Sequence, residues 1–406
     1  MIKKSRPARR VLISGASIAG PTLAYWLDRY GFDVTVVEKA AAVRGGGYAI
    51  DIRGTAREVV GRMGLLPRLT EAHVDSRRIT FVDAAGEAVG SVRPEQFTGG
   101  EAGLDLEVRR GDLADALHAP VRERVEFLFS DSIATLDDTG DAVHVVFDSG
   151  IRRTFDLVIG ADGLHSNTRR LVFGPEEPFH HYLGRVFAGF TLPNEFGFAH
   201  EAAIWNEPGR SAVLYAYEES DHVHGFLTFA DDTPPFDAFR DPRGRRDLVA
   251  ARFPEQVWHV PRLVEAMREA DDLFCDIVSQ IHMPTWSRGR VVLAGDAAHA
   301  TSFLSGQGSS VALVGAYVLA GELAVRADHA EAFAAYERRM RPFAELNQAL
   351  ATNGGSVVTP TTREEIEARN ALVRDPEAAA KAMAMAMASA EEGRAAHSAL
   401  TLPDYR

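Results

Sequence analysis

Alternation of apolar and polar stretches at the start of the chain predicts a strand, a helix and a second strand. Arg10–Ser14 is a short apolar run typical of a buried strand, and Pro21–Tyr30 carries apolar residues at helical spacing. Val34–Val37 is again continuously apolar. Gly15 follows the first strand and Glu38 ends the second. This order predicts a βαβ unit of the kind that binds dinucleotides.

The turn after the first strand contains residues that a dinucleotide site needs. Gly15 permits a tight turn, Gly20 lets the helix pack on the strand, and the helix N-terminus offers N–H groups and a positive dipole to a pyrophosphate. Glu38 can accept hydrogen bonds from a ribose hydroxyl, which favours FAD or NAD over NADP. Ser17 replaces the middle glycine, and its Cβ crowds the approach to the pyrophosphate. A βαβ unit without a ligand is the alternative.

A second glycine-bearing loop follows the predicted strand Val291–Ala294 much later in the chain. Gly295 and Asp296 stand at the carboxyl end of this strand, where ligands bind in open α/β sheets, and Asp296 suits a polyol such as ribityl. The segment Gly306-Gln307-Gly308 begins an apolar helix over Ser309–Val325, whose N-terminus would stabilise charge on a reduced flavin. Two distant sites indicate one long ligand held at both ends, and FAD is such a ligand.

Between the two loops the pattern changes to aromatic, alternating segments, which predict an antiparallel sheet over residues 176–283. A hairpin is expected over Thr80–Val92, and Asp112 is a candidate N-cap of the helix that begins near it. The sheet strands are expected at Val186–Leu192, Ala203–Trp205, Ala212–Tyr217 and His224–Phe229, and helices interrupted by prolines at Phe236–Ala270. The alternation of Ala and Met over Ala382–Ala388 predicts a helix packed on the protein body or on a second subunit.

These patterns together predict an α/β protein. We expect a Rossmann-like FAD-binding domain, a mixed β-sheet substrate domain and C-terminal helices. The expected bounds are residues 1–70, 100–175 and 284–350 for the FAD-binding domain, residues 71–99 and 176–283 for the substrate-binding sheet domain, and residues 351–406 for the helical segment.

Composition and charge narrow the class of protein. The 406 residues, 46% of them hydrophobic and 25% charged, are ordinary for a globular protein with two domains. A net charge of −13 argues against a nucleic-acid partner. The sequence lacks a run of about 18 apolar residues, which argues against a membrane partner, and the basic N-terminus lacks a signal core, so we expect a cytoplasmic protein. The single cysteine, Cys275, excludes an internal disulfide, and no metal is expected.

Three segments in order resemble the motifs of the group A flavoprotein monooxygenases, the para-hydroxybenzoate hydroxylase family. They are Gly15–Gly20 with Glu38, Asp156–Arg169 and Gly295–Gly308. The resemblance covers roughly residues 8–350 and looks closest to actinobacterial and tetracycline-inactivating members. It implies a set of FAD-binding residues, namely Gly15, Ser17, Ile18, Ala19, Gly20, Glu38, Lys39, Arg110, Asp162, Gly295, Asp296, Gly306, Gln307 and Gly308. No catalytic residue is assigned, and a structural role is the preferred interpretation of His299.

The resemblance also implies particular roles and two departures from the family pattern. Arg110 resembles the arginine at the FAD phosphate and ribityl region, and Asp162 belongs to an Asp-Gly motif tied to FAD and pyridine nucleotide, with a structural turn as the alternative. Phe303 stands where the family usually has proline, and Gly315 stands where an aspartate is common. FAD binding should survive both changes, whereas Phe303 is expected to alter oxygen access or flavin mobility.

The function implied by the resemblance is monooxygenation of a small molecule. NADPH or NADH would reduce FAD, O₂ would form a C4a-hydroperoxyflavin, and an aromatic, enol or polyketide-like substrate would be hydroxylated or undergo Baeyer–Villiger insertion. Candidate pocket residues, each equally expected in the core, are Phe190, Tyr215, Tyr217, His224 and Phe226. The open alternatives are another FAD oxidoreductase, such as a reductase, dehydrogenase or halogenase, and a non-catalytic flavin-binding protein. A monomer and a homodimer both remain compatible with the sequence.

Overall fold

The computed structural model describes residues 8–43, 45–94, 105–375 and 395–405, so the helix predicted over Ala382–Ala388 lies outside the described residues. The strands are β1 (Arg10–Ser14), β2 (Asp33–Glu38), β3 (Ala49–Ile52), β4 (Arg78–Val82), β5 (Ala88–Val92), β6 (Leu106–Arg109), β7 (Glu126–Phe129), β8 (Ile133–Asp138), β9 (Val143–Phe147), β10 (Arg152–Phe155), β11 (Leu157–Gly160), β12 (His180–Pro193), β13 (Glu201–Glu207), β14 (Arg210–Ala216), β15 (His222–Ala230), β16 (Phe274–Ile281), β17 (Ser287–Arg288) and β18 (Val291–Leu293). The helices are α1 (Ala19–Arg29), α2 (Thr55–Arg62), α3 (Leu66–Glu71), α4 (Arg110–His118), α5 (Asn167–Phe173), α6 (Pro242–Arg252), α7 (Val260–Glu269), α8 (Asp296–His299), α9 (Gly308–Val325), α10 (His329–Val358) and α11 (Arg363–Arg374).

A six-stranded sheet with the order β17-β18-β11-β1-β2-β7 carries the N-terminal βαβ unit. β1 pairs in parallel with β2 and β11, and β11 pairs in parallel with β18. One face packs on α1 and α9 through side chains such as Val11 and Ile13. The other face packs on the three-stranded sheet β10-β9-β8 through Leu12 and Val158. Burial on both faces explains why these parallel strands are continuously apolar.

Helix α9 is the most apolar element of this core. By length and composition Gly308–Val325 would suffice to cross a membrane, but 78% of it is buried inside the fold. Such burial is expected of the central helix of a core, so this helix is weak evidence for a membrane span. It begins directly after the second glycine-bearing loop.

The second large sheet has seven strands in the order β16-β12-β15-β14-β13-β4-β5, and only β13 and β4 pair in parallel. Its rear face packs on α6 and α7, and Phe190 lies there beside Leu263. A Cβ on Gly225 would stand 2.7 Å from the Phe190 ring and 2.8 Å from Leu263, so this glycine makes room for the helix layer. Phe190 therefore belongs to the core of the rear face rather than to a pocket facing the cofactor.

The α/β fold class is confirmed, with differences at several elements. The prediction of Asp112 as an N-cap is wrong, because α4 begins at Arg110 and Asp112 lies in its first turn, 2.6 Å from the Nε of Arg109. Strands β8 and β10 were not predicted, since short polar edge strands give little periodic signal. The prolines Pro242 and Pro261 stand in the first turns of α6 and α7, where a missing N–H costs nothing.

Candidate cofactor and substrate site

The first turn is packed so closely that only glycine fits at two of its positions. Gly15 adopts a φ of 107°, and its N–H donates to the Val37 carbonyl at 2.8 Å. A Cβ on Gly15 would stand 2.4 Å from the Ala161 oxygen, and a Cβ on Gly20 would stand 1.9 Å from the Gly15 oxygen. Helix α1, with Ile18 as N-cap, therefore starts directly above the turn. The first N–H groups of such a helix have no partner within the helix and suit a phosphate.

Ser17 and Arg110 meet at this turn. The Arg110 Nη2 donates to Ser17 Oγ at 2.8 Å, which brings the start of α4 against the start of α1. The serine that replaces the usual glycine therefore holds a guanidinium at the helix N-terminus. A guanidinium beside a helix N-terminus is an arrangement that favours a phosphate group.

Glu38 closes the other side of the turn. Its carboxylate accepts the N–H of Ala16 at 2.8 Å and the N–H of Ala40 at 2.9 Å. A carboxylate has about four acceptor positions, so two bonds leave capacity for a ribose hydroxyl. Lys39, the next residue, is exposed beyond the end of β2.

The second loop contacts the first turn directly. Gly295 adopts a φ of 59°, and a Cβ on it would stand 3.1 Å from the Cβ of Ala19. Asp296 follows as the first residue of α8, and a Cβ on Gly308 would stand 3.8 Å from its Oδ1. Burial raises the pKa of Asp296, and the charge of Arg110 opposes this rise. Asp296 is exposed to solvent although its neighbours in the chain are buried, so its carboxylate lines a recess between the two loops.

The Gly306-Gln307-Gly308 segment forms the far end of this recess. Gly306 has a left-handed backbone with a φ of 65°, and Gln307 is the N-cap of α9. The Gln307 side chain is buried, and neither its Oε1 nor its Nε2 has a hydrogen-bond partner. An unpaired buried amide is costly, so this group fits a ligand with donor and acceptor atoms. These residues together fit FAD, whose ring edge, ribityl chain and pyrophosphate need such partners.

One acidic residue of the site escaped the sequence interpretation. The Oδ2 of Asp51, on β3, would lie 3.5 Å from a Cβ on Gly306, and the Arg53 Nη2 stands 3.1 Å from the same oxygen. Burial raises the pKa of Asp51, and Arg53 opposes this. Neither this strand nor its approach to the distant loop was predicted from the sequence.

Asp162 uses its carboxylate mainly within its own turn, and a longer bond of 3.4 Å comes to its Oδ2 from the Ser14 hydroxyl at the end of β1. Oδ2 accepts the N–H and the hydroxyl of Thr168, both at 2.8 Å, and Oδ1 accepts the hydroxyl of Ser166. These bonds fix the turn that leads into α5. They support a structural role for the Asp-Gly motif.

His299 lies in the core behind the second loop. Its side chain is buried against Trp286, with ring centroids 4.6 Å apart, and its Nε2 is 3.3 Å from the Tyr336 hydroxyl. Burial lowers the pKa of His299 to about 4, so the imidazole is neutral at pH 7. This environment agrees with a structural role.

The front face of the seven-stranded sheet presents aromatic rings to the cofactor loops. Phe187 packs on Phe226 with centroids 5.5 Å apart and on Phe303 of the second loop at 4.4 Å. Tyr48 contacts both of these sheet rings at 6.1 and 5.9 Å. His224 continues the row beside Phe226.

The same row extends along the edge of the face. Tyr217 lies 5.4 Å from the ring of His224, and Tyr215 lies 5.8 Å from Tyr217. Four of the five predicted pocket residues therefore share this face. Phe187, which was not predicted, contributes the contact to the cofactor loop.

One group of potential metal ligands occurs among the described residues. His165, Glu176 and His180 place one donor atom each within 4.8 Å of the others. The guanidinium of Arg169 contacts Glu176, and the ring of His165 lies between the carboxylates of Asp276 and Glu176, whose hydrogen bonds raise the pKa of His165 to about 10. Because the Glu176 carboxylate already pairs with Arg169, His165 and His180, we interpret this group as an ion-pair network.

The two loops and the aromatic face fit a flavin-dependent oxidoreductase, and the comparisons with known proteins show that class. The chain belongs to the family described as FAD binding domain, whose match covers residues 8–351. It is an FAD-dependent monooxygenase, which confirms the cofactor and the reaction class expected from the sequence.

Similar proteins cover nearly the whole chain. An uncharacterized protein of Mycobacterium tuberculosis (strain ATCC 25618 / H37Rv) is 43% identical over 88% of this chain and 97% of its own. A flavin-dependent monooxygenase of an unknown prokaryotic organism is 36% identical over 90% of this chain and 95% of its own. The crystal structure of tetracycline destructase Tet(51) is 30% identical and superimposes with a TM-score of 0.84 over 98% of this chain and 100% of its own.

Proposed function

We propose that this enzyme oxygenates a polycyclic phenol or enol of the tetracycline kind, with NADPH or NADH as electron donor. The observation that carries the proposal is the row of rings from Phe187 to Tyr215, which faces the recess of the cofactor loops. A flat apolar face with a few polar tips suits a flat substrate that carries hydroxyl groups. The likeness to tetracycline destructases at 30% and 33% identity supports the same substrate class.

We further propose the residues that hold the cofactor. The turn Gly15–Gly20 with Arg110 holds the pyrophosphate, Glu38 the ribose, Asp296 the ribityl chain, and Gly306–Gly308 the pyrimidine edge of the ring. FAD, once bound, supplies the electron transfer from NAD(P)H and the activation of oxygen. The protein's own residues orient the ring, and the aromatic face borders the space between the ring and the sheet, with Phe303 packed on Phe187 at its margin.

The test uses the purified holoenzyme with tetracycline. NADPH and NADH are compared as reductants in the absence of oxygen, and reduction is followed by the loss of flavin absorbance. Air is then admitted, and mass spectrometry is used to detect tetracycline that has gained one oxygen atom. Asp296→Leu serves as the variant that lacks the proposed ribityl partner, and His144→Gln, an exposed side chain on β9, as the control. Flavin reduction without any oxygenated product would refute tetracycline as a substrate of this enzyme.

A further inference from the structure

A chain of charged contacts starts at the cofactor loop. Arg169 is buried, and its Nη1 donates to the carbonyl of Ala297, the residue directly after Asp296, at 3.0 Å. Its Nη2 donates to the Leu164 carbonyl at 2.6 Å and contacts the Glu176 carboxylate. Arg169 therefore ties the second loop to the Asp-Gly turn and to Glu176.

Glu176 also contacts His165, which lies just after the Asp-Gly motif. Its Oε1 lies 2.7 Å from His165 Nδ1, while His165 Nε2 lies 2.9 Å from Asp276 Oδ2. Both ring nitrogens thus face carboxylates, and both can donate only when the imidazole is protonated. The hydrogen bonds to Asp276 and Glu176 raise the pKa of His165 to about 10, although half of its side chain meets solvent.

Asp276, the second partner of His165, lies on the front face of the seven-stranded sheet. It stands opposite Phe187 in the register of β12 and β16, so the two side chains share the front face. Phe187 in turn packs on Phe303 of the second loop at 4.4 Å. Side-chain contacts thus run from Ala297 through Arg169, Glu176 and His165 to Asp276. The strand register then places Asp276 beside Phe187, which packs on Phe303 of the same loop as Ala297.

We propose that His165 is a positioning residue that fixes the distance between the cofactor loop and the pair Phe187 and Asp276 on the front face of β12 and β16. The inference rests on the proposed function. In the coupled reaction, substrate, NAD(P)H, H⁺ and O₂ give hydroxylated substrate, NAD(P)⁺ and water. When the substrate is misplaced, NAD(P)H, H⁺ and O₂ give NAD(P)⁺ and H₂O₂, and the substrate is unchanged. Product formed per NAD(P)H consumed therefore reports on this distance.

The charge of His165 sets the pH range of the connection. The groups that face it are Glu176, Asp276, the neighbouring His180 and, through Glu176, Arg169. The pKa of His165 is raised above its ordinary value of 6.5. Its ion pairs therefore stabilise the fold fully below about pH 6.5, and this stabilisation is lost only as pH rises through about 10. The connection therefore persists throughout the physiological range.

The activity test compares the holoenzyme with His165→Gln, Asp276→Asn, the double variant and His165→Arg, using tetracycline. We expect product formation to fall about 10- to 100-fold in the single variants, as a displacement of about 1 Å can cause, with NAD(P)H oxidation nearly unchanged and H₂O₂ making up the difference. The double variant should lose no more than either single variant, and arginine, which can bridge two carboxylates, should restore part of the coupling. His144→Gln should match wild type. An unchanged product ratio in His165→Gln would overturn the proposal.

Two measurements without turnover separate this proposal from the substrate assignment. Histidine-labelled holoenzyme should show a His165 ring signal, identified by its absence in His165→Gln, that stays charged to about pH 10 and titrates lower in Asp276→Asn. Hydrogen exchange in His165→Gln should rise together at residues 274–281 and 296–303. A His165 that titrates near 6.5, or faster exchange confined to its own turn, would overturn the positioning role even if tetracycline is oxygenated. Absence of tetracycline product in wild type overturns only the proposed substrate.

Discussion

Replacement of Gln348 by leucine should loosen the cofactor loop. The hydrogen bonds that are lost set the decrease in the free energy of unfolding. Gln348 is buried on α10, and its Nε2 donates to the carbonyls of Ile281 and Ala300 at 3.0 and 3.1 Å. Leucine has nearly the same volume but no donor. Ala300 keeps one bond, from the Ile281 N–H at 3.2 Å, so we expect a loss of about 1–3 kcal/mol for the two contacts together. Because Ala300 leads into the second loop, part of this loss should appear in flavin affinity.

The adjacent Asn347 provides a matched comparison. Its Nδ2 donates to the carbonyls of Phe343 and Ala396 at 2.8 and 3.2 Å, so Asn347→Leu loses the same number of bonds on the side of the C-terminal segment. Both variants should lower the melting temperature by about 2–6 °C in differential scanning fluorimetry. Only Gln348→Leu should weaken FAD binding about tenfold, which corresponds to 1.4 kcal/mol, in a titration of the apoprotein. Equal flavin affinity in the two variants would refute the reasoning.

Three further predictions concern other parts of the molecule. Gly321→Ala places a Cβ 2.0 Å from the Tyr405 ring, so the segment 395–405 should become sensitive to limited proteolysis; resistance equal to wild type would contradict this contact. Burial lowers the pKa of His299 from its ordinary value of 6.5 to about 4. The free energy of unfolding should therefore fall by about 3 kcal/mol as pH falls from 6.5 to 4. Acid unfolding measurements on His299→Gln should not show this loss. Burial raises the pKa of Cys275 to about 12, and the native protein should therefore resist iodoacetamide at pH 8; rapid alkylation before unfolding would argue against that burial.

The parts of the fold that depend on local pattern could be predicted from the sequence. The βαβ unit, the hairpin of β4 and β5 and the second loop each combine a periodic segment with nearby glycines, so a short stretch of sequence contains the whole signal. The two glycine-bearing loops indicated FAD, and the resemblance of three segments to a known family implied the monooxygenase class. This is why they were predictable even though Ser17 departs from the usual glycine.

The parts that depend on distant contacts could not be predicted. Alternation along β12 shows that Phe187 and Phe190 lie on opposite faces, but both faces are covered, so the pattern does not tell which faces the cofactor. The approach of Asp51 to the Gly306 loop and the bond from His165 to Asp276 bring together elements far apart in sequence. Such contacts arise from sheet order, which no local pattern encodes.

The strand order of the six-stranded sheet has a consequence for synthesis on the ribosome. β1 lies between β2 and β11, and β18 completes the sheet beyond β11. At about 5–20 residues per second, roughly 10–60 s separate the appearance of β1 from that of β18. During this interval the growing sheet has an unpaired strand edge, on β1 until β11 appears and on β11 thereafter, and Ala19 lacks its neighbour Gly295. Cells that make this enzyme quickly should therefore depend on chaperones, and capture of the yellow prosthetic group should follow release of the finished chain.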